Sequence, residues 1–187
     1  MLTELQKEKM THYFNILDFD NNGVIEKEDF TAIAENLNIL WGYQEGSENY
    51  EKIIKKFEDS WLTFRERVDY DDFHNATPDE WLEFTDKHII NGGDEFFDQY
   101  VFDVTREIFD HFDTNRDGFI SLDEYIDLFM AYRIEIRYSA KSYTKLDLND
   151  DDLLSREEML SAVDEFFRSD DRDAPGNWLY GFWGRQK

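Results

Sequence analysis

Residues 113–124 read DTNRDGFISLDE, and this run constrains the chain more tightly than any other. Asp113, Asn115 and Asp117 place side-chain oxygens at positions 1, 3 and 5 of a twelve-residue stretch. Gly118 at position 6 allows a sharp turn, and Phe119 at position 7 offers its backbone carbonyl. Ser121 stands at position 9, where a water often mediates, and Glu124 at position 12 can bind through both carboxylate oxygens. Carboxylates crowded together repel one another unless a cation gathers them, and six to eight hard oxygens at flexible angles suit Ca²⁺. The residues also serve the backbone, because Ser121 and Glu124 form an S-x-x-E capping box that starts a helix. Ile120, at position 8, is placed to pair with a partner loop.

The same spacing recurs. Asp18–Asp29 reads DFDNNGVIEKED, with Asp18, Asp20, Asn22 and Val24 at positions 1, 3, 5 and 7, and Glu26 at position 9. Position 12 is Asp29, one methylene shorter than Glu, so it reaches an ion with one oxygen rather than two. Lower coordination at shorter distance favours Mg²⁺ relative to Ca²⁺, and a mixed site is expected here. Asp147–Glu158 reads DLNDDDLLSREE, with Asp147, Asn149, Asp151, Leu153, Ser155 and Glu158 in ligand positions. Its position 6 is Asp152, not Gly, and Asp is among the few residues that tolerate the left-handed backbone required there. A fourth stretch, Asp69–Glu80, keeps Asp69, Asp71 and Glu80 but has Phe73 and His74 at positions 5 and 6. It reads as a structural loop whose Ala76 pairs with Ile25 and whose Thr77-Pro78-Asp79-Glu80 starts a helix.

Each loop lies between stretches of helical periodicity, such as Phe30, Ile33, Ala34 and Leu37, or Tyr50, Ile53, Ile54, Phe57 and Trp61. Eight helices in four helix–loop–helix units make an internal repeat. The third loop matches the EF-hand pattern completely, and the others are variants of it. The expected fold is all-α: four EF-hand units in two packed pairs, with short β pairings between loops. The division expected is residues 1–91 for the first pair, 94–168 for the second, and 169–187 for a tail packing on the core. Asn91-Gly92-Gly93-Asp94 marks the junction.

Composition removes other functions. A net charge of −24 repels nucleic acid and anionic membrane and attracts cations. With 17% aromatic residues the chain is no disordered acidic tail. It has no Cys, and no apolar run approaches the roughly 20 residues a membrane span needs. The start, MLTELQKEKM, carries no apolar signal-peptide core, so a cytoplasmic location is expected. His12, His74, His88 and His111 have no metal-ligand spacing, and no nucleophile motif or phosphate-binding Gly loop is present, so the chain does not read as an enzyme. Three Ca²⁺ sites, Mg²⁺ in the first loop, no nucleic acid, no indicated protein target and a monomer are the remaining expectations.

Active-type loops in units one, three and four with a ruined second loop resemble the sarcoplasmic calcium-binding proteins and their relatives calexcitin and calerythrin. The first loop DFDNNGVIEKEDF, with its terminal Asp, and the ending FFRSDDRDAPGNWLYG are similar to that family's. The resemblance implies a compact helical fold and a role in calcium buffering or signalling. A buffer is the first expectation, with Trp178, Leu179, Tyr180, Phe182 and Trp183 packing back onto the helices. A sensor that grips a target on Ca²⁺ loading is the second, weighed against the scattered Met1, Met10, Met130 and Met159. The third is a coelenterazine-binding photoprotein. Where photoproteins place their His, Tyr and Trp groups, this chain has Met10, Glu83, Lys87, Val163 and Phe167, and it keeps only Tyr180.

Overall fold

In the computed structural model the described residues are 1–68 and 75–184. Five regular helices carry the first two units and the entry to the third. These are α1 (Glu4–Leu17), α2 (Lys27–Leu40), α3 (Glu48–Val68), α4 (Pro78–Phe84) and α5 (Asp94–Phe97). They are followed by α6 (Asp103–Phe112), α7 (Leu122–Ala131), α8 (Ser139–Leu146) and α9 (Arg156–Arg168). Two π-helical turns, Thr85–Ile90 after α4 and Asp98–Phe102 between α5 and α6, were not visible in the periodicity. With them, residues 78–90 and 94–112 become two longer helices, so the expected eight-helix reading holds.

Local chemistry explains the helix starts. Thr3, Thr77, Ser121 and Ser155 are N-caps whose side chains accept from the backbone three residues on, each in a reciprocal capping box. Pro78 follows Thr77 at the first helical position, where its missing N–H costs nothing. The loops pair as two short antiparallel contacts. Phe119 and Ile120 (β1) face Ser155 and Leu154 (β2), and Ile25 bridges Ala76 through N–H···O bonds of 2.9 and 2.8 Å.

One continuous core joins all units. Met10, Ile33, Phe84, Phe97, Phe109, Tyr125, Phe129 and Phe166 are fully enclosed in it. α1 packs on α4 and α9, α2 on α3 and α7, and α6 on α7 and α9. The α1–α9 seam holds an enclosed cation: Lys9 Nζ donates to the carbonyls of Glu165 (2.9 Å) and Ser169 (2.7 Å) at the carboxyl end of α9. Those carbonyls lie where a helix leaves acceptors unmatched. Burial pulls the Lys9 ammonium down to about 8, against the nearby Asp170 and Glu165 charges.

The chain's end closes over α7–α9. A 3-10 turn, Pro175–Trp178, packs on α9 and α8. Gly176 is required there, since any Cβ would strike the Ala162 carbonyl, and its N–H donates to Glu165 Oε2 at 2.7 Å. Leu179 is buried and its carbonyl accepts from the Tyr125 hydroxyl at 2.7 Å. The Tyr180 carbonyl meets His12 Nε2 at 2.9 Å.

Candidate metal centres

Loop three shows how sequence becomes a cation cradle. Asp113 caps the end of α6, and its Oδ1 and Oδ2 accept from the N–H groups of Asp117 (3.1 Å) and Gly118 (3.0 Å). Asn115 Oδ1 accepts from Asp117 N–H at 2.8 Å, and Asp117 Oδ1 from Phe119 N–H at 2.9 Å. The turn is therefore held by its own prospective ligands. Glu124 spans it: Oε1 accepts from Thr114 N–H (2.9 Å) and hydroxyl (2.8 Å), and Oε2 from Ser121 N–H (2.9 Å) and hydroxyl (2.8 Å). Burial raises the Glu124 carboxyl, but these hydrogen bonds outweigh it and hold the group below the usual carboxylate range. The Ser121 hydroxyl is turned to Glu124 and to the helix start.

Loop four repeats the arrangement, except that Leu148 at position 2 has no hydroxyl to offer the closing glutamate. Asp147 accepts from Asp151 and Asp152 N–H at 3.2 and 2.9 Å, Asn149 from Asp151 at 3.0 Å, and Asp151 from Leu153 at 3.0 Å. Glu158 accepts from Leu148 N–H at 3.0 Å and from Ser155 N–H and hydroxyl, both at 2.8 Å. Asp152 sits at φ 64°, the left-handed value the turn demands. The Tyr143 hydroxyl ties the paired loops together, its single proton shared between the carbonyls of Ile120 (2.9 Å) and Asp152 (2.8 Å).

Loop one has the same frame with a shorter closing residue. Asp18 accepts from Asn22 and Gly23 N–H at 2.9 and 3.0 Å, and Asn22 Oδ1 from Val24 N–H at 3.0 Å. Glu26 caps α2 and its Oε1 accepts from Asn22 Nδ2 at 2.8 Å. Asp29 accepts from Phe19 N–H through Oδ1 and from Glu26 N–H through Oδ2, both at 2.8 Å. The carboxylate oxygens of Asp18, Asp20 and Asp29 lie within 4.8 Å of one another. Burial pushes the Asp29 carboxyl up, with Asp20's charge adding to it against the backbone hydrogen bonds.

Position 4 is left-handed in all three loops, at Asn21 (φ 60°), Arg116 (φ 60°) and Asp150 (φ 58°). Sequence reading assigned that position no role; the signal was the Asn and Asp at two of the three. Another contact was not legible. Arg133, after α7, lies with its guanidinium 3.8 Å from the Phe19 ring centroid and donates to the Phe19 carbonyl at 3.2 Å. Unit three thereby braces loop one. Asn36 of α2 adds bonds to the carbonyls of Met130 (3.0 Å) and Ala131 (2.9 Å).

Asp18, Asp29, Asp113, Glu124, Asp147 and Glu158 are all buried, and among the described residues none is ion-paired with Lys, Arg or His. Buried carboxylates without a cationic partner are costly. Hard oxygens converging without nitrogen or sulfur fit Ca²⁺ or Mg²⁺. The reading of Asp69, Asp71, Phe73 and His74 in the second loop lies outside the described residues. Its described end, Asn75–Glu80, supplies the Ala76 bridge and the start of α4.

Comparison with known proteins agrees with this geometry. The model of the EF hand domain matches residues 104–132, and that of the EF-hand domain pair matches residues 1–37. Calerythrin from Saccharopolyspora erythraea is 24% identical over 166 residues, covering 89% of this chain and 94% of that protein. The sarcoplasmic calcium-binding protein alpha chain from Penaeus vannamei is 28% identical over 173 residues, with 88% of each chain covered. The structure of a sarcoplasmic calcium-binding protein from amphioxus superposes with a TM-score of 0.75 at 20% identity, over 97% of this chain and 99% of that one.

Proposed function

We propose that this chain, an EF-hand calcium-binding protein of the sarcoplasmic calcium-binding protein family, buffers Ca²⁺ and Mg²⁺ in the cytoplasm through loops one, three and four. Asp18, Asp20, Asn22, Val24, Glu26 and Asp29 would hold the first ion. Asp113, Asn115, Asp117, Phe119, Ser121 and Glu124 would hold the second. Asp147, Asn149, Asp151, Leu153, Ser155 and Glu158 would hold the third. The ion supplies positive charge that the buried carboxylates lack. The chain's own residues preset the loop backbone through the Asp113-type and Glu124-type hydrogen bonds, so little ordering remains on binding.

The observation that favours buffering over sensing is the chain's own end. Leu179 and Tyr180 are tied to Tyr125 of α7 and His12 of α1, and the Tyr180 ring packs on Phe166 of α9 at 5.0 Å, so the tail occupies apolar surface between these helices. Covered faces have little new apolar surface to release on binding, whereas sensors open to expose a groove.

Isothermal titration with Ca²⁺, with and without millimolar Mg²⁺, tests the reading. Three sites are expected, with Mg²⁺ competing most at loop one. A stoichiometry of two or fewer would remove one of the assigned loops. Chelation should lower the melting temperature sharply, because each site held at about 1,000 times its dissociation constant adds about 4 kcal/mol. That sum rivals the roughly 5–15 kcal/mol of a whole domain. A melting curve unmoved by thorough chelation refutes it. A target-binding role would show instead as a hydrophobic surface exposed only in Ca²⁺.

A further inference from the structure

We propose that Arg133, in the turn that ends α7, is a positioning residue that fixes the width of loop one and so sets its preference for Mg²⁺ over Ca²⁺, a role that rests on loop one being an ion site. Arg133 grips the peptide joining Phe19 to Asp20, at positions 2 and 3 of the loop. The Phe19 carbonyl of that peptide accepts from the guanidinium at 3.2 Å, and the N–H of the same peptide, on Asp20, donates to Asp29 Oδ1 at 3.3 Å. One peptide plane is thus held from both ends, by a residue outside the loop and by the loop's closing ligand. Hydrogen bonds in series polarise one another, so the guanidinium strengthens the Asp20 N–H as a donor to Asp29. Phe19 N–H donates to the same oxygen at 2.8 Å, and the Phe19 ring, 5% exposed, lies 3.8 Å below the guanidinium.

The helix that carries Asp29 is fixed to the same corner. Asn36, two turns along α2 from Asp29, donates to the carbonyls of Met130 at 3.0 Å and Ala131 at 2.9 Å. The start of loop one and its closing residue are therefore both anchored at the end of α7, and the gap between them is set from outside the loop. Mg²⁺ takes oxygens at about 2.0–2.1 Å in near-octahedral geometry, whereas Ca²⁺ needs about 2.3–2.6 Å and more ligands. A cradle that cannot widen favours the smaller ion. Position 2 is held differently elsewhere: Thr114 gives its hydroxyl to Glu124 in loop three, and Leu148 in loop four is 55% exposed.

The backbone at Arg133 supplies an independent sign that the side chain is needed. The N–H groups of Arg133 and Ile134 return to the carbonyls of Met130 (3.2 Å) and Phe129 (2.8 Å). This is the Schellman closure, whose left-handed position is usually glycine. Arg133 occupies that position at φ 53°. The other described non-glycine residues at positive φ, Asn21, Arg116, Asp150 and Asp152, all lie within the three loops. An arginine kept where glycine would be unstrained points to a function for its guanidinium. That guanidinium makes no ion pair among the described residues, although the chain carries a net charge of −24.

The test follows the Gly23 and Gly118 amide signals of the full ¹⁵N-labelled chain through separate Mg²⁺ and Ca²⁺ titrations, so that loops one and three are read apart. In Arg133→Met the Mg²⁺ dissociation constant at Gly23 should rise about tenfold and the Ca²⁺ constant about threefold or less, with both unchanged at Gly118. Arg133→Lys keeps the charge without the planar fork and should behave like Arg133→Met. Arg133→Gly relieves the turn, so it folds without strain there, and it should show the same change of ratio. A merely structural role would weaken both ions alike. An unmoved Mg²⁺/Ca²⁺ ratio at Gly23 in these variants overturns the inference and leaves loop one an ion site. Tighter binding of both ions in Arg133→Met, with Arg133→Lys unchanged from the natural chain, would show a guanidinium that only repels cations, and overturns it too. A Gly23 signal that answers neither ion in the natural chain would remove loop one from the ion sites, and the role of Arg133 with it.

Discussion

Loops one and three close on equivalent backbone amides with side chains that differ by one methylene. Asp29 takes the N–H groups of Phe19 and Glu26, at positions 2 and 9 of its loop. Glu124 takes those of Thr114 and Ser121, at the same positions of loop three. The difference lies in what else those positions bring. Thr114 and Ser121 each add a hydroxyl to Glu124, whereas Phe19 and Glu26 add none to Asp29. Burial raises both acids, but only Glu124 has enough donors to end below its ordinary range. The charge on the closing residue is therefore set by its neighbours in the turn as much as by its own type.

The largest effect should come from removing that charge in the better-supported loop. Glu124→Gln keeps the length but turns an amide nitrogen toward donors and removes an anion. Losing one partner of a buried, hydrogen-bonded charge pair costs about 3–5 kcal/mol. Ca²⁺ affinity at loop three should then fall roughly 100- to 5,000-fold. Calorimetry should show one strong site lost and loop one unchanged. If all affinities persist, Glu124 is no ligand.

Asp29→Glu makes loop one resemble loop three. The longer acid can offer a second oxygen, and preference should move from Mg²⁺ toward Ca²⁺ by about tenfold, which is about 1.4 kcal/mol. The comparison of Ca²⁺ titrations with and without Mg²⁺ reads this directly. An unchanged ratio would mean that the depth at which Asp29 is buried, and not its length, governs selectivity.

Ligand positions were legible because spacing in a twelve-residue turn is local. Asp113, Asn115, Asp117 and Glu124 are specified by the same few residues that form the turn. The Ile25–Ala76 pairing was legible for the same reason, as was the pairing of Ile120 with its partner loop, where the structure puts Leu154 opposite it. The π turns at Thr85–Ile90 and Asp98–Phe102 were not, because one extra residue per turn leaves apolar spacing nearly unchanged. The Arg133–Phe19 brace joins residues 114 apart in sequence and has no local signature.

Loop four supplies the finest test, at the turn itself. Asp152 N–H donates to Asp147 Oδ2 at 2.9 Å, as Gly118 and Gly23 donate to their first aspartates at 3.0 Å. An L-residue thus makes a glycine's turn at φ 64°. The left-handed region costs most L-residues about 1–2 kcal/mol, and Asp less. Asp152→Gly removes that cost and one exposed carboxylate beside Asp147 and Asp151. Against this, Gly adds roughly 0.5–1 kcal/mol of freedom to the unfolded chain. Relief of repulsion should tip the balance in the chelated chain, raising its melting temperature by about 1–3 °C. In Ca²⁺ the gain should shrink or vanish, because the missing carboxylate also weakens attraction for the ion. A lower melting temperature in chelator would show instead that the Asp152 side chain stabilises the turn it strains.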